Sequence, residues 1–209
     1  MALLNEKFTT VEQLPLILQL DVAGNPHSWI TFEKASYYYT KDLVAWSMQQ
    51  SDLTLHGGTS RMTGLQSSLT MDTIIAIKGK VNSHQFAQMN RVPLTNKTLF
   101  RRDHHVCAYC GNEFGAKKLS RDHIHPVSKG GPNTWVNVVT ACHSCNKRKD
   151  NHLLEDTDMA LLYVPYTPTR SEHLILSNRN ILADQMDFLL KNVPEESRLH
   201  QMRDSFMLS

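Results

Sequence analysis

The chain has 209 residues, 41% of them hydrophobic, and 22 Lys and Arg stand against 20 Asp and Glu for a net charge of +2. That length suits one domain, or a small domain with a companion, and is enough to bury a core. The opening MALLNEKFTT lacks the basic region and apolar stretch of a signal peptide, and no apolar run approaches the roughly 18 residues of a membrane span, so a soluble cytoplasmic protein without a membrane partner is expected.

In chain order, residues 1–90 predict an accessory α/β lobe with no catalytic motif. LPLILQLD reads as a buried strand ending in the turn AGNP. In TFEKASYYYTKDLVAWSM, the residues Phe32, Ala35, Tyr39, Leu43 and Trp46 recur near helical spacing, and LTLHGG and MDTIIAIKG read as further strands. The aromatic stripe is expected in the core rather than as a platform for stacking bases. Residues 91–155 form the next expected domain, and residues 156–209 a linker followed by one amphipathic helix. In that last segment Thr169 and Glu172 have capping-box spacing. Beyond them Leu174, Ile175, Ile181, Leu182, Met186, Leu189 and Leu190 form an apolar stripe that would dock on the body or on a second copy in a homodimer.

The middle segment is chemically distinct. Residues 91–150 hold eleven Lys and Arg against four acids, a charge of +7, which leaves −5 for the remainder. A basic middle in an acidic frame is the electrostatic footprint of a surface that meets phosphates. All four cysteines fall here in two equal spacings, Cys107 with Cys110 and Cys142 with Cys145. In a reducing compartment such a pair of knuckles reads as one closed, tetrahedral, structural zinc site. The 31 residues between Cys110 and Cys142 exceed a simple zinc ribbon, so they must contain an inserted unit. LSRDHIHPV predicts a strand, KGGPN a turn, WVNVVTA a second strand, and the basic run after Cys142 a helix.

The order C-x2-C, DHI-x-P-x-S-x-GG, an Asn in the second strand, then C-x2-CN-x2-K resembles the HNH endonucleases. The resemblance covers about residues 98 to 152. NRVPLTNKTLFRRD before it and LADQMDFLL after it are also similar to bacterial HNH proteins of this size. What it implies is an α+β fold: a ββα-metal HNH unit buttressed by a four-cysteine zinc site, with the N-terminal α/β lobe and the C-terminal helix on either side.

By the same resemblance His123 is the general base, Asp122 and Asn146 are ligands of a catalytic Mg2+ or Mn2+, and Asn137 holds the hairpin loop through side-chain to main-chain bonds. The third motif position is commonly histidine; Asn146 there makes the triplet His-Asn-Asn and favours a hard cation, because amide and carboxylate oxygens suit Mg2+ and Mn2+. Histidine suits the base role because its ordinary pKa of about 6.5 leaves it largely neutral, yet able to accept a proton, near neutral pH. A main-chain carbonyl across the hairpin is expected to fix its ring. Lys129, Lys147, Arg148 and Lys149 are expected on phosphates. His125 either joins them or faces solvent, and His104, His105 and His143 read as packing or solvent residues.

The expected activity is hydrolysis of DNA phosphodiester bonds with no organic cofactor. A zinc-containing module that binds nucleic acid without cutting it stays open as an alternative, as does an RNA-cleaving variant. The ligand pattern of a zinc deaminase and the HExxH of a metalloprotease are both absent from the sequence.

Overall fold

Continuous apolar runs mark strands whose two faces are both covered. Two such runs, ILQL and IIAI, become the paired interior strands of a sheet in this computed structural model, which describes residues 14–48, 52–79, 91–195, 197 and 199. The opening MALLNEKFTT lies outside the described residues. The chain divides into two units, residues 1–90 with 178–192 and residues 91–177 with 193–209.

In the first unit the elements are β1 (Ile17–Leu20), β2 (Pro26–Ile30), α1 (Phe32–Thr40), β3 (Val44–Ser47), β4 (Asp52–Thr59), β5 (Gln66–Asp72) and β6 (Ile74–Ile77). The main sheet has the order β2-β1-β6-β3, parallel between β1 and β6 and antiparallel elsewhere, while β4 and β5 form a separate hairpin. Ile17, Ile30, Ala35, Met71 and Ile75 make the buried core, and Phe32, Tyr38 and Tyr39 pack on it. The aromatic stripe of α1 is therefore core, as its spacing predicts.

Two expectations are corrected here. The helical spacing running on to Leu43 and Trp46 misleads, because α1 stops at Thr40, Asp42 takes a left-handed φ of 53°, and Val44–Ser47 joins the sheet beside β6. MDTIIAIKG is not one strand. It breaks at Thr73, whose carbonyl accepts from Leu18 N and from Gln185 Nε2, both at 2.9 Å, so β5 and β6 lie in different sheets.

In the second unit α2 (Asn96–Arg102) opens with a capping box between Thr95 and Thr98. Strands β7 (Leu119–His123) and β8 (Val138–Cys142) pair antiparallel from Leu119 opposite Cys142 to His123 opposite Val138, and α3 (His143–Lys149) follows at once. The predicted strand, loop, strand and helix are all present. Strand β7 ends earlier than LSRDHIHPV implies, since Pro126 has no N–H for a ladder and the side chain of Asn137 takes the main-chain groups of His125 instead. The expected single C-terminal helix is two: α4 (Arg170–Ser177) in this unit, and α5 (Ala183–Leu190) in the first. The break falls at an Asx turn in which Asn178 Oδ1 accepts from Asn180 N at 3.1 Å. Leu174, Ile175 and Leu189 are buried, so the predicted stripe is not a continuous face open to a second copy.

A buried ion pair holds the back of the hairpin. Arg102 and Asp103 are 1% and 0% exposed, and all five guanidinium hydrogens have acceptors: Asp103 Oδ1 at 2.8 Å and Oδ2 at 3.1 Å, and the carbonyls of Trp135, Tyr166 and Val138 at 2.8, 2.9 and 2.9 Å. Asp103 Oδ2 also accepts from Thr140 N at 2.9 Å. Burying two charges is costly unless every donor and acceptor is matched; here they are, and α2, β8 and the Tyr166 segment are tied to one guanidinium. Arg102, counted in the basic middle, is therefore not part of a surface that could meet phosphates.

Candidate functional site

The zinc-type centre is built by two local turns. In the first knuckle Cys107 N donates to Asn112 O and Gly111 N to Cys107 O, both at 3.0 Å, and Gly111 adopts a φ of 74°, a conformation glycine takes without penalty. In the second, Cys142 ends β8 and caps α3, its Sγ accepting from Cys145 N at 3.4 Å. Ala108 N donates to Thr140 O at 2.8 Å and joins the first knuckle to β8.

The ligand atoms of Cys107, Cys110, Cys142 and Cys145 all lie within 4.8 Å of one another. Zn–S bonds of about 2.3 Å place the sulphurs of a tetrahedral site roughly 3.8 Å apart, so the donor set and its spacing fit a structural zinc. Burial raises Cys107, yet main-chain N–H groups outweigh it and hold the thiol at about 7. Burial first, then a hydrogen bond with Cys142, the charge of Cys107 and hydrogen bonds with Cys107 and Cys110, push Cys145 up strongly.

At the other end of the hairpin, Asp122 and His123 close β7 on opposite faces of the strand. Asp122 is 5% exposed; Lys149 Nζ donates to its Oδ1 at 3.1 Å and Tyr109 donates its hydroxyl to Oδ2. Burial, and then the Asp122 carboxylate, push Tyr109 far above its ordinary value, so it stays a hydroxyl donor. Lys149 Nζ also donates to His123 O at 2.8 Å, which ties α3 to the Asp122–His123 pair.

Asn146, on α3, reaches back over β7 by donating its amide to Ser120 Oγ at 2.8 Å and to Arg121 O at 3.5 Å. Its amide oxygen has no hydrogen bond among the described residues. Asn137 locks the loop: its Oδ1 accepts from His125 N at 2.9 Å, and its Nδ2 donates to His125 O at 3.0 Å and Pro132 O at 2.8 Å. Gly131 closes the same loop where no side chain fits, because a Cβ there would lie 1.8 Å from His125 O.

Two cysteine knuckles, a hairpin ending in Asp-His, and a helix carrying Asn back over the first strand are thus gathered in one segment. Residues 107–162 match the HNH endonuclease family model. The matched HNH segment is bounded by a hydrogen bond, Leu162 N to Ala108 O at 2.9 Å, that returns its end to the first knuckle. Comparison with curated proteins gave no match. Among the described residues, no helix is long and apolar enough to cross a membrane.

Around the matched segment the expected phosphate contacts separate into two groups. His125, Lys129, Lys147 and Arg148 are exposed, with Lys129 3.6 Å from Asp156 and Arg148 3.2 Å from Asp158. Lys149 is a correction: it is 0% exposed, and its ammonium is engaged by Asp122 and His123 O, so it supports the site from inside rather than meeting a backbone phosphate. The ring of His123 brings a second correction. Its Nε2 lies 3.1 Å from the side-chain oxygen of Asn133, not against a main-chain carbonyl across the hairpin. His143 Nε2 lies 3.1 Å from Lys117 O, and His105 packs against Phe100 with 6.4 Å between ring centroids.

Tyr109, Asn133 and Arg121 are residues of the site that sequence reasoning did not single out. Tyr109 lies between the first two cysteines, so its place beside Cys110 was the only signal available. Asn133 read as a turn residue and Arg121 as one more surface cation.

Proposed function

We propose that the protein is a metal-dependent endonuclease that hydrolyses DNA phosphodiester bonds, with a structural zinc in its four-cysteine site. The observation that carries the reading is the convergence of Asp122, His123 and Asn146 on one hairpin and helix whose loop is held by Asn137. In this reading Asp122 and Asn146 hold a divalent cation. Carboxylate and amide oxygens are the hard donors that Mg2+ or Mn2+ requires, and a carboxylate already accepting two hydrogen bonds keeps further lone pairs for a metal. The bound cation would supply positive charge where the phosphorane and the leaving oxygen become negative.

The remaining chemistry belongs to the chain. The imidazole of His123 takes a proton from water as the water oxygen bonds to phosphorus, and the P–O bond to the leaving oxygen then breaks. Lys149 and Tyr109 hold the Asp122 carboxylate in place, while the exposed Lys147 and Arg148 are positioned on α3 for backbone phosphates.

The test is plasmid cleavage by wild-type and His123→Ala protein in Mg2+, Mn2+ and EDTA, with an RNA of matched length in parallel. Metal-dependent cutting of DNA that the substitution abolishes is the expected result. Cutting by a cleanly purified His123→Ala protein at the wild-type rate removes His123 as the base. Binding of DNA without any cutting by the wild type would favour the non-catalytic module, and cutting confined to RNA would change the substrate.

A further inference from the structure

We infer that Asn133, held by Arg121, is the positioning residue that fixes the tautomer of His123 and directs its Nδ1 towards the attacking water. This rests on His123 being the base. Two groups converge on one oxygen: Arg121 Nη1 donates to Asn133 Oδ1 at 3.0 Å, and His123 Nε2 lies 3.1 Å from the same atom.

An amide's two ends look alike, but a guanidinium only donates, so the atom facing Arg121 must be the amide oxygen. That oxygen can only accept. Its second bond must therefore come from a hydrogen on His123 Nε2, which leaves the Nδ1 lone pair as the basic position. Among the described residues, no hydrogen bond occupies Nδ1. Without Arg121 the amide of Asn133 could turn over and present its NH2 to the ring, and the opposite tautomer would follow.

The arrangement is anchored rather than a chance contact of an exposed loop. Pro132, next to Asn133, has its carbonyl held by Asn137 Nδ2 at 2.8 Å, and Gly131 is pressed against the main chain of His125. Arg121 is itself fixed from the other side, donating from Nη2 to Leu94 O at 3.3 Å. Its side chain bridges two loops, in contrast to a mobile cation waiting for a phosphate.

The experiment is the imidazole nitrogen spectrum of 15N-histidine-labelled full-length protein, recorded without added magnesium at a pH where histidine is neutral. It would be paired with single-turnover cleavage and DNA affinity for the same proteins. For the wild type and for Asn133→Asp, whose carboxylate accepts the same two hydrogens, the His123 signals should be those of an Nε2–H ring. Asn133→Leu and Arg121→Met should shift them towards a tautomer mixture and slow cleavage about 10–100-fold, the loss typical of removing a group that orients a functional histidine, with DNA affinity unchanged.

An Nδ1–H ring in the wild type, or unchanged spectra and rates in both Asn133→Leu and Arg121→Met, overturns the inference. Weaker DNA binding by Arg121→Met, with a shallower salt dependence and a wild-type ring spectrum, would make Arg121 a phosphate contact and also overturn it. If the wild type cuts nothing, the nuclease reading fails, while the nitrogen spectra still decide the role of Asn133.

Discussion

The two ends of one short hairpin are held by different physics. Where Leu119 faces Cys142, the ladder runs into four thiols placed to share one metal. Where His123 faces Val138, closure depends on an asparagine side chain, a glycine with no room for a Cβ, and a buried lysine. A zinc there would fasten one end by coordination and use all four thiols in doing so. Hydrogen bonding fastens the other, and among the described residues it leaves an imidazole nitrogen and an amide oxygen unengaged. On the proposed reading, a small unit is thus rigid at both ends and reactive at only one.

The largest expected effect comes from breaking the metal end. Structural zinc contributes on the order of 10 kcal/mol to units of this kind, so thorough chelation or Cys142→Ser should unfold residues 91–177 while leaving the first unit's strands in place. Thermal melts with far-UV circular dichroism check this, and an unchanged melt after stripping contradicts the four-cysteine site. Next is the pair behind both ends. Arg102→Met leaves Asp103 buried without its partner, and losses of about 3–5 kcal/mol are usual for that change; urea unfolding at constant zinc content measures it.

Gly131→Ala sharpens the contrast, because it disturbs only the end that carries His123. The new Cβ would lie 1.8 Å from His125 O, so the loop main chain must move. Overpacking of this kind costs about 1–3 kcal/mol. Zinc stoichiometry should stay at wild type while cleavage falls below one tenth of it; a variant that keeps full activity would show that the loop lock is dispensable.

The smallest effect is a pH dependence at the back of the hairpin. Glu172 is 0% exposed, its Oε1 accepts from Tyr166 and Ser197, its Oε2 has no hydrogen-bond partner among the described residues, and burial holds its pKa above the ordinary 4.5. The folded state therefore favours the protonated acid. The stability this brings is complete below about 4.5 and is lost as pH rises through the raised value. Glu172→Gln, neutral throughout, should flatten that part of the curve of unfolding free energy against pH, and an identical slope in the two proteins would remove Glu172 as its source.

What could be read from the sequence was what local spacing encodes. The cysteines declare themselves because a knuckle is a four-residue turn, whereas Asp122, His123, Asn137 and Asn146 stand out only through the resemblance to the HNH endonucleases. Residues whose roles depend on which way a side chain turns were not legible. Arg102 and Lys149 look like surface cations in RRDHH and NKRKD, yet both are buried: Lys149 beside Asp122, which only the folded chain brings to it, and Arg102 beside its chain neighbour Asp103 and three main-chain carbonyls that the fold supplies. The same holds for Tyr109, whose hydroxyl meets Asp122 only after the first knuckle has packed against the hairpin. In the first unit, helical spacing through Leu43 and Trp46 gave way to a strand because β6 offered a free edge to pair with. The apolar residues from Leu174 to Leu190 share one period, but the Asx turn at Asn178 interrupts it.

Cys142 ends a strand, caps a helix and offers a sulphur to the metal-type centre, all as one residue. Its triple duty sets the tolerance of this unit to insertions and deletions. One residue added between Cys145 and Asn146 would turn every later side chain of α3 by about 100° about the helix axis, carrying Asn146 away from β7 and Lys149 away from Asp122. The exposed bend at Gly115–Lys118 makes none of these three attachments, so length variation among natural variants should accumulate there and be missing between Cys142 and Lys149.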